Sequence, residues 1–323
     1  MPHRVTLIPG DWIGPETTAT VQRLIAAAGA DIDWESFQCP DGMVGEDLLA
    51  SARSTRRVLL NRLVAPRKAG ALPANILIRK ELGLWAQVRH VRNLPGLEAR
   101  FQNVDVMIVR ETSEDIYSGF EHQTATGVFE SVKVTTAFAC ERIARFAFEK
   151  AREHGRKRVT VVHKSNIMKK SDGLFLHTGQ RVGRDYPDIA CDEVIVDALC
   201  MKLVRWPQSF DVLLCGNLFG DIVADLAAGL AGGISVGGSH SFGDEVQLFE
   251  NPHGKTPELV GTGKANPIGN LQAGIALLHS LHETQPAERL RRALESVLPE
   301  LRTVDCGGEH GCKAVENAIA AAL

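Results

Sequence analysis

The stretch that most constrains this sequence is an apolar run at residues 210–214 followed by a helical pattern over 217–230. The first run has the length of a buried strand, and the second repeats its apolar residues with a helical period. Between residues 211 and 244 the only charged side chains are Asp221 and Asp225. This strand and helix are typical of an α/β protein.

Asp221 and Asp225 stand four residues apart, so on a helix they share one face. Two carboxylates at that spacing in an apolar surface repel each other and resist desolvation, and a bound cation would remove both costs. Oxygen ligands suit a hard divalent ion, which makes Mg²⁺ or Mn²⁺ the natural candidate. The alternative is a helix with one small hydrated face, although such a face usually carries Lys, Arg or Gln as well.

Length and composition predict one large or two moderate α/β domains. The chain has 323 residues, of which 44% are hydrophobic, and a formal net charge of −3. The mild charge gives no support for a nucleic-acid partner, and no run of about eighteen apolar residues predicts a membrane span. The sequence enters a strand at once, which leaves no room for a signal peptide, and its seven scattered cysteines resemble buried small hydrophobes. We therefore expect a cytoplasmic protein.

The first elements are a strand, a turn and a helix. A strand is predicted over residues 5–8, a glycine-rich turn over 9–14, and a helix from Pro15, which suits a first helical turn. Such a turn at a sheet edge is a common ligand site. No G-x-G-x-x-G follows the first strand and there is no Walker sequence, so the two common nucleotide fingerprints are absent.

Three arginines lie at or near the ends of predicted elements. These elements are a basic helix-like piece from residue 54, an amphipathic helix over 73–82, and strands over 84–89 and 103–109. If Arg79, Arg89 and Arg110 converge on one pocket, they form a clamp that holds a polycarboxylate by bidentate pairing. Each of them alone is more typical of a surface residue.

The second half of the chain alternates strands and helices. The patterns predict a hairpin around Gly127, a helix over 139–153, a strand over 158–163, loops over 248–261 and 263–267, and helices over 270–281, 286–298 and 309–323. Lys164 stands at the carboxyl end of a predicted strand, where ligands usually bind in α/β proteins. Asp197 opens a further apolar helix and is a third carboxylate candidate.

Together these segments resemble the β-decarboxylating dehydrogenases, which act on isocitrate, 3-isopropylmalate, homoisocitrate or tartrate. The resemblance covers nearly the whole chain, and within the family the sequence is most similar to the NAD-dependent isocitrate dehydrogenase branch. Its strongest parts are IPGDWIGPE (8–16), VRETSEDIYSG (109–119), VHKSNIMK (162–169), NLFGDIVADL (217–226) and HGKTPE (253–258). The resemblance implies two α/β lobes around a cleft, without a G-x-G-x-x-G Rossmann site. A cofactor-binding lobe would comprise 1–96 and 239–323, and a smaller lobe with the dimer contact 97–238.

The resemblance also implies an active site. Tyr117 and Lys164 match the acid/base pair, and Asp197 of a neighbouring subunit with Asp221 and Asp225 matches the ligands of Mg²⁺ or Mn²⁺. The other implied positions are substrate contacts at Asn75, Arg79, Arg89 and Arg110, and cofactor contacts at Glu250, His253, Gly254, Glu258, Leu259 and Asn266. Glu258 favours NAD, because a carboxylate accepts hydrogen bonds from ribose hydroxyls and repels a 2′-phosphate. Since Lys164 and Asp197 would serve the neighbouring subunit, the resemblance implies a homodimer or a larger assembly.

Three departures from the family pattern fall near the substrate substituent and the cofactor. Trp12 replaces a glycine of the opening turn, residues 61–66 lack the usual threonines, and Pro73 replaces a serine. Arg67 and Lys68 add positive charge to the same region. The substrate is therefore still expected to contain the 2-hydroxy acid with a β-carboxylate that the family shares. The sequence does not determine the substituent on C3.

The expected activity is oxidative decarboxylation of isocitrate to 2-oxoglutarate. The alternatives are the same chemistry on homoisocitrate, phosphonomethylmalate or 3-isopropylmalate, or oxidation of tartrate or malate. A function of another class is also open, namely a non-catalytic regulatory subunit of a heteromeric isocitrate dehydrogenase. Such subunits keep the fold but lose residues that carry the chemistry.

Overall fold

The chain divides into two α/β units, so the predicted fold class is confirmed. The computed structural model describes residues 2–64, 72–233, 237–251 and 253–323. The first unit comprises Met1–Leu84, Asn93–Arg100 and Ala231–Leu323, and the second comprises Trp85–Arg92 and Phe101–Leu230.

The described strands of the first unit form a mixed sheet. They are β1 (His3–Ile8), β2 (Ile32–Ser36), β3 (Arg57–Leu60), β11 (Ser239–Phe242) and β12 (Gln247–Glu250). Their order is β2-β1-β3-β12-β11. β1 pairs in parallel with β2 and β3, and β3 pairs in parallel with β12, whereas β11 runs antiparallel to β12.

Helices cover both faces of this sheet. They are α1 (Gly14–Ala27), α2 (Glu46–Thr55), α3 (Ala74–Glu81), α8 (Ile268–Ser280), α9 (Thr284–Val297) and α10 (Cys312–Ala322). Leu59 of β3 belongs to the core formed with α1, α8, α9 and α10. Its neighbours Val58 and Leu60 belong to a second core, formed with α2 and α3. Because side chains alternate along a strand, a strand covered on both faces is apolar at every one of these positions.

Two sequence predictions in this unit are wrong. The basic helix-like piece from residue 54 is a helix end followed by a strand. Helix α2 ends at Thr55, Arg56 caps it in the left-handed conformation (φ 60°), and β3 begins at Arg57. The predicted loop from residue 248 instead begins within strand β12. Both strands have four residues, of which the last three are buried, and such runs are too short to show a period.

The second unit contributes five strands to the ten-stranded sheet of the chain and also has a two-stranded hairpin. The sheet strands are β4 (Ala86–Arg92), β5 (Asp105–Glu111), β8 (Arg158–His163), β9 (Ala190–Ile195) and β10 (Val212–Cys215), in the order β4-β5-β10-β8-β9. β4 runs antiparallel to β5, and the other neighbours are parallel. The hairpin consists of β6 (Glu121–Ala125) and β7 (Val128–Ser131), around Gly127 as predicted.

Four helices accompany the strands of the second unit in the described chain: α4 (Ala137–Glu153), α5 (Ser171–Gly183), α6 (Val196–Arg205) and α7 (Asn217–Ala231). Helix α4 begins where the Thr136 hydroxyl accepts a hydrogen bond from the Ala139 amide at 3.2 Å. Its fully buried Phe148 stacks on Tyr186, with ring centroids 5.1 Å apart. Parallel strands bring the carboxyl ends of β5, β8 and β10 to the same sheet edge, where Lys164 and the start of α7 lie.

Two further findings bear on the cysteines and on membranes. All seven cysteines lie in described positions and are unpaired, and Cys39, Cys140, Cys215 and Cys312 are buried. Among the described residues, the structure contains no helix with the length and apolar character needed to traverse a bilayer.

The core of the first unit leads to a stability prediction. Leu290 of α9 is fully buried, so Leu290→Ala is expected to lower the free energy of unfolding by about 2–5 kcal/mol through lost burial and a residual cavity. Urea unfolding followed by circular dichroism measures this change. The matched control is Arg292→Ala, an exposed position in the same helix, which should stay within about 0.5 kcal/mol of the wild type. Equal losses in both variants would contradict the assignment of α9 to the core.

Candidate active site

Helix α7 presents Asp221 and Asp225 on one face, as its sequence predicts. Both carboxylates are accessible, with side-chain exposures of 48% and 57%. Each pairs with an arginine of the same unit whose side chain is less than a tenth exposed: Arg110 contacts Asp221, and Arg89 donates to Asp225 at 2.5 Å. The repulsion between the two aspartates is therefore offset by two cations.

Arg110 reaches α7 from β5 and is fixed there by Asn217. Its Nε and Nη2 donate to the Asn217 side-chain oxygen at 3.1 and 2.7 Å. The Asn217 amide nitrogen donates in turn to the backbone oxygen of Glu114 at 3.0 Å. Gly220 makes room for the arginine, because a Cβ at that position would lie 2.6 Å from the Arg110 side chain. The sequence analysis missed Asn217, whose only signal was a polar residue opening an apolar helix.

Tyr117 joins the same cluster. Its hydroxyl donates to the second carboxylate oxygen of Asp221 at 2.6 Å, and its ring centroid lies 5.2 Å from the Arg110 guanidinium carbon. Burial raises the pKa of Tyr117, and the neighbouring Asp221 carboxylate raises this pKa further. The phenol therefore keeps its proton at neutral pH and has that proton available to donate.

Arg89 pairs with Asp225, but not all of its hydrogen-bond donors are satisfied by the described residues. Its residue exposure is 5%, yet Nε and Nη2 are buried without a hydrogen-bond partner among the described residues. A buried donor without an acceptor costs about 1–3 kcal/mol. The arrangement is suited to an anionic ligand that supplies the absent acceptors, and a carboxylate matches the fork geometry of a guanidinium.

The third arginine of the predicted clamp lies in the first unit. Arg79 is in α3 and contacts Glu250 of β12, and its buried Nε has no partner in the described part of the chain. Glu250, a predicted cofactor contact, is therefore occupied by an arginine in the ligand-free chain. Asn75 lies one turn before Arg79 on the same helix, so the two share a face.

Lys164 and Asp197 form a separate pair in the second unit. Lys164 follows β8, Asp197 lies in the first turn of α6, and the Lys164 ammonium donates to the carboxylate at 2.6 Å. This hydrogen bond lowers the pKa of Asp197. In the described part of a single chain, no three His, Cys, Asp or Glu side chains are grouped to hold a metal. One chain therefore does not by itself assemble Asp197 with Asp221 and Asp225.

The predicted cofactor positions include two that are held firmly. His253 is buried; its Nε2 lies 2.5 Å from the Asn61 side-chain oxygen, and burial lowers its pKa. Asn266 donates to Asp305 at 3.0 Å and accepts from the Ile268 amide at the start of α8. The remaining positions, Gly254, Glu258 and Leu259, lie in or just before a short 3-10 helix (Pro257–Leu259); Gly254 and Glu258 are exposed, and Leu259 is half-buried.

The segment that departs from the family pattern anchors this region. The Asn61 amide donates to the hydroxyls of Thr17 and Thr18 at 2.9 and 3.2 Å, and Arg62 donates to the backbone oxygen of His253 at 2.9 Å. Trp12 has a left-handed backbone (φ 51°), a strained conformation for a bulky residue. Arg67 and Lys68, which add positive charge to this part of the sequence, lie outside the described residues.

The donor chemistry of α7 fits a divalent ion. Asp221 and Asp225 supply accessible carboxylate oxygens four residues apart, and Mg²⁺ and Mn²⁺ prefer such ligands. The present contacts of these carboxylates with Arg110, Tyr117 and Arg89 would be shared or rearranged when an ion binds.

Comparison with known proteins identifies the family. The family model described as isocitrate/isopropylmalate dehydrogenase matches residues 4–319. The chain belongs to the isocitrate/isopropylmalate dehydrogenase family. Its fold is that of a solved member, the isocitrate dehydrogenase from Methylococcus capsulatus, with a TM-score of 0.95 and 37% identity over 99% of both chains.

Relatives within the isocitrate/isopropylmalate dehydrogenase family carry two kinds of name. The Arabidopsis thaliana isocitrate dehydrogenase [NAD] regulatory subunit 2, mitochondrial, is 42% identical, with alignment over 100% of this chain and 90% of that protein. The isocitrate dehydrogenase [NAD] catalytic subunit 5, mitochondrial, from the same plant is 40% identical over 98% and 88%. Overall identity therefore does not separate a catalytic from a regulatory role. The expectation of a cytoplasmic protein is wrong on this comparison, because these relatives are named as mitochondrial.

The unsatisfied donors of Arg89 lead to a prediction about the free energy of unfolding. Arg89→Met removes two buried, unpaired donors and leaves Asp225 hydrated, so the free energy of unfolding of the ligand-free protein should hold or rise by about 1 kcal/mol. The matched variant is Arg156→Met, whose guanidinium is 14% exposed and pairs with Asp105 and Asp211. That variant should lose about 1–2 kcal/mol, because its ion pairs are only partly buried. Chemical denaturation measures both, and a larger loss in Arg89→Met would show that Arg89 is structural.

Proposed function

We propose that this chain catalyses the NAD- and divalent-metal-dependent oxidative decarboxylation of a 3-substituted malate, with isocitrate as the first candidate. The observation that carries the proposal is the buried Arg89 guanidinium, which pairs with Asp225 and keeps two donors that no described residue satisfies. It belongs to the same helix-face cluster as Arg110, Tyr117 and Asp221. A purely structural arginine at 5% exposure would be expected to have its donors satisfied.

The arginines bind the acid part of the substrate. Arg89 offers Nε and Nη2 to a carboxylate, and Arg79 offers its buried Nε. Arg110 supplies positive charge beside Tyr117. Since a guanidinium remains charged at any physiological pH, this grip does not depend on a titration.

Tyr117 and Lys164 move the protons. The phenol of Tyr117, whose pKa is raised, is suited to give a proton to C3 after CO₂ is lost. Lys164 is suited to take the proton of the C2 hydroxyl. Because Lys164 and Asp197 are held together at 2.6 Å, we propose that they act as one unit in the site of a neighbouring subunit.

The divalent ion and NAD would supply two functions that the side chains do not, namely a Lewis acid and a hydride acceptor. A divalent ion held by Asp221, Asp225 and the partner copy of Asp197 would polarise the C2 oxygen, and NAD would accept the hydride. For the coenzyme, we propose contacts at Glu250, His253, Gly254, Glu258, Leu259 and Asn266. The exposed Glu258 carboxylate is free to meet the ribose hydroxyls and disfavours a 2′-phosphate.

A regulatory subunit is the second candidate function. It is favoured by the relatives named as regulatory subunits at 42% and 41% identity and by the altered segment at 61–66. Against it, all eight side chains expected to carry the chemistry are present. They are Arg79, Arg89, Arg110, Tyr117, Lys164, Asp197, Asp221 and Asp225.

The hairpin supports association with a second chain. Every residue of β6 and β7 is exposed, including Phe129 at 67%. An isolated two-stranded hairpin is marginally stable in water, so it needs a partner surface. We propose that this partner is a second copy, which would also bring Lys164 and Asp197 to the neighbouring site.

A substrate and coenzyme panel tests the function. The purified chain with Mn²⁺ and NAD should form NADH with isocitrate at a higher kcat/KM than with homoisocitrate, 3-isopropylmalate, tartrate, malate or phosphonomethylmalate. NADP in place of NAD should lower kcat/KM. Activity that appears only after addition of a catalytic subunit would instead support the regulatory function. A clear preference for NADP would contradict the role given to Glu258.

Lys164→Met should abolish NADH formation while isocitrate still binds, because the arginines that hold the substrate are unchanged. Calorimetric titration with isocitrate and Mn²⁺ measures binding, and NADH absorbance measures turnover. Lys170→Met is the matched control, since Lys170 is an exposed lysine of the same segment and should keep wild-type turnover. Wild-type turnover in Lys164→Met would refute the assigned role.

The same variant tests whether sites are shared between chains. A mixture of Lys164→Met and Tyr117→Phe chains, unfolded and refolded together, should recover activity because one of the two sites in a mixed dimer has both groups intact. No recovery, when each variant is separately shown to refold, would place both groups in one chain's site.

A further inference from the structure

Lys133, which follows β7, contacts three segments that each carry a candidate functional residue. Its ammonium donates to Asp172 at 2.7 Å, lies 3.7 Å from the Asp115 carboxylate and lies 5.1 Å from the Phe219 ring centroid. Both aspartate side chains are at most 5% exposed, and the Lys133 side chain is 20% exposed. One partly buried cation thus compensates two buried carboxylates.

Asp172 connects Lys133 to Lys164. One oxygen of Asp172 accepts from the Lys133 ammonium, and the other accepts from the backbone amide of Lys164 at 2.6 Å. The first lysine therefore fixes the carboxylate that holds the main chain of the second. The position from which the Lys164 side chain extends depends on this bond.

Asp115 connects Lys133 to Tyr117 and to α7. Its carboxylate accepts from the Ile116 amide at 2.8 Å, next to Tyr117, and from the Leu218 amide at 3.1 Å, in the first turn of α7. The backbone of Asp115 has φ 74° and ψ −156°, a region occupied essentially by glycine and costing about 1–3 kcal/mol. Such strain persists where the surroundings over-determine it, and here the side-chain bonds and the Asp115–Val134 backbone pair do so.

A small cavity lies among these groups. Lys133, Asp115, Asp172 and Asn217 line a cavity of about 20 Å³, which has room for about one water molecule. The cluster therefore acts on the site through its neighbours.

We infer that Lys133 and Asp115 are positioning residues that hold Lys164, Tyr117 and the first turn of α7 in one fixed arrangement. The inference rests on the proposed function for the roles of those three parts. If Lys164 serves the partner's site, the same contacts connect two catalytic groups of one chain. These are Lys164, which the chain contributes to the partner's site, and Tyr117, which it uses in its own site. A disturbance at Lys133 then affects both parts of the catalytic machinery at once.

Lys133→Met tests the inference by leaving two buried carboxylates without their cation. In the full-length chain, kcat should fall by about 10²-fold because of small misplacements of Lys164 and Tyr117. KM for isocitrate should change by less than about threefold, since the arginines are untouched. The primary isotope effect with C2-deuterated substrate should rise, because proton and hydride removal become more limiting. Lys133→Arg should restore most of kcat.

Amide hydrogen exchange gives a readout that does not require activity. In Lys133→Met, exchange should increase together around residues 164–168 and 216–219, because the Lys164 amide bonds to Asp172 and the Leu218 amide bonds to Asp115. The control is Lys150→Met, a lysine of the same unit with 19% side-chain exposure that pairs with Glu153. That variant should leave kcat and both segments unchanged.

The outcomes separate this inference from the proposed function. An inactive wild-type chain would refute the proposed function, while exchange would still decide whether Lys133 holds both segments. Unchanged kcat in Lys133→Met, or faster exchange in only one of the two segments, would overturn the positioning role. Should Lys133→Met fail to fold, Lys133→Gln and Asp115→Asn provide the same comparison, and unchanged kcat and exchange in both would also overturn it.

Discussion

The charge arrangement of the candidate site depends on the pairing between two buried arginines and the two aspartates of α7. Without Arg89 and Arg110, the carboxylates would face each other on an otherwise apolar helix. Without Asp221 and Asp225, two guanidinium groups would be buried with little compensation. The helix start, the Gly220 position and the Asn217 amide all serve to bring these charges together.

The two arginines differ in a way that bears on function. Arg110 bonds to Asn217, Asp221 and Gln87, whereas Arg89 has buried donors without a partner in the part of the chain that the structure describes. Asp115, in the same unit, holds a backbone conformation that favours glycine. Unsatisfied donors and backbone strain lower stability, and such features concentrate at functional sites. Their presence in the unit that carries Tyr117 and Lys164 agrees with a catalytic role.

Family membership and catalytic role rest on different observations. Full-length similarity and the shared fold establish the family. Relatives named as catalytic and regulatory subunits match the chain almost equally well, so the distinction depends on individual side chains. In this chain the side chains proposed as the acid/base pair, Tyr117 and Lys164, and the proposed metal carboxylates are present and are held by specific bonds, which is the physical basis for proposing an enzyme.

Much of the fold and the candidate residues could be predicted because the information is local in the chain. The hairpin at Gly127, the helix of Asp221 and Asp225, and the strand before Lys164 follow from composition and period. Strands β3 and β12 were missed because four residues with only three buried positions carry no period, and their pairing partners identify them instead. The lobe boundaries and the roles of the site residues stay predictions.

The sequence by itself determined which residue types stand near the ends of which elements, since period and turn chemistry depend on neighbours a few positions away. Only the tertiary structure decided the partners. Arg89 pairs with Asp225, 136 residues later, while Arg79 pairs with Glu250. Lys133, which no motif distinguishes, lies between Asp115 and Asp172. The physical reason is that an ion pair or a buried hydrogen bond depends on distances in space, and these distances are set by the order of strands in the sheet, which local patterns do not encode.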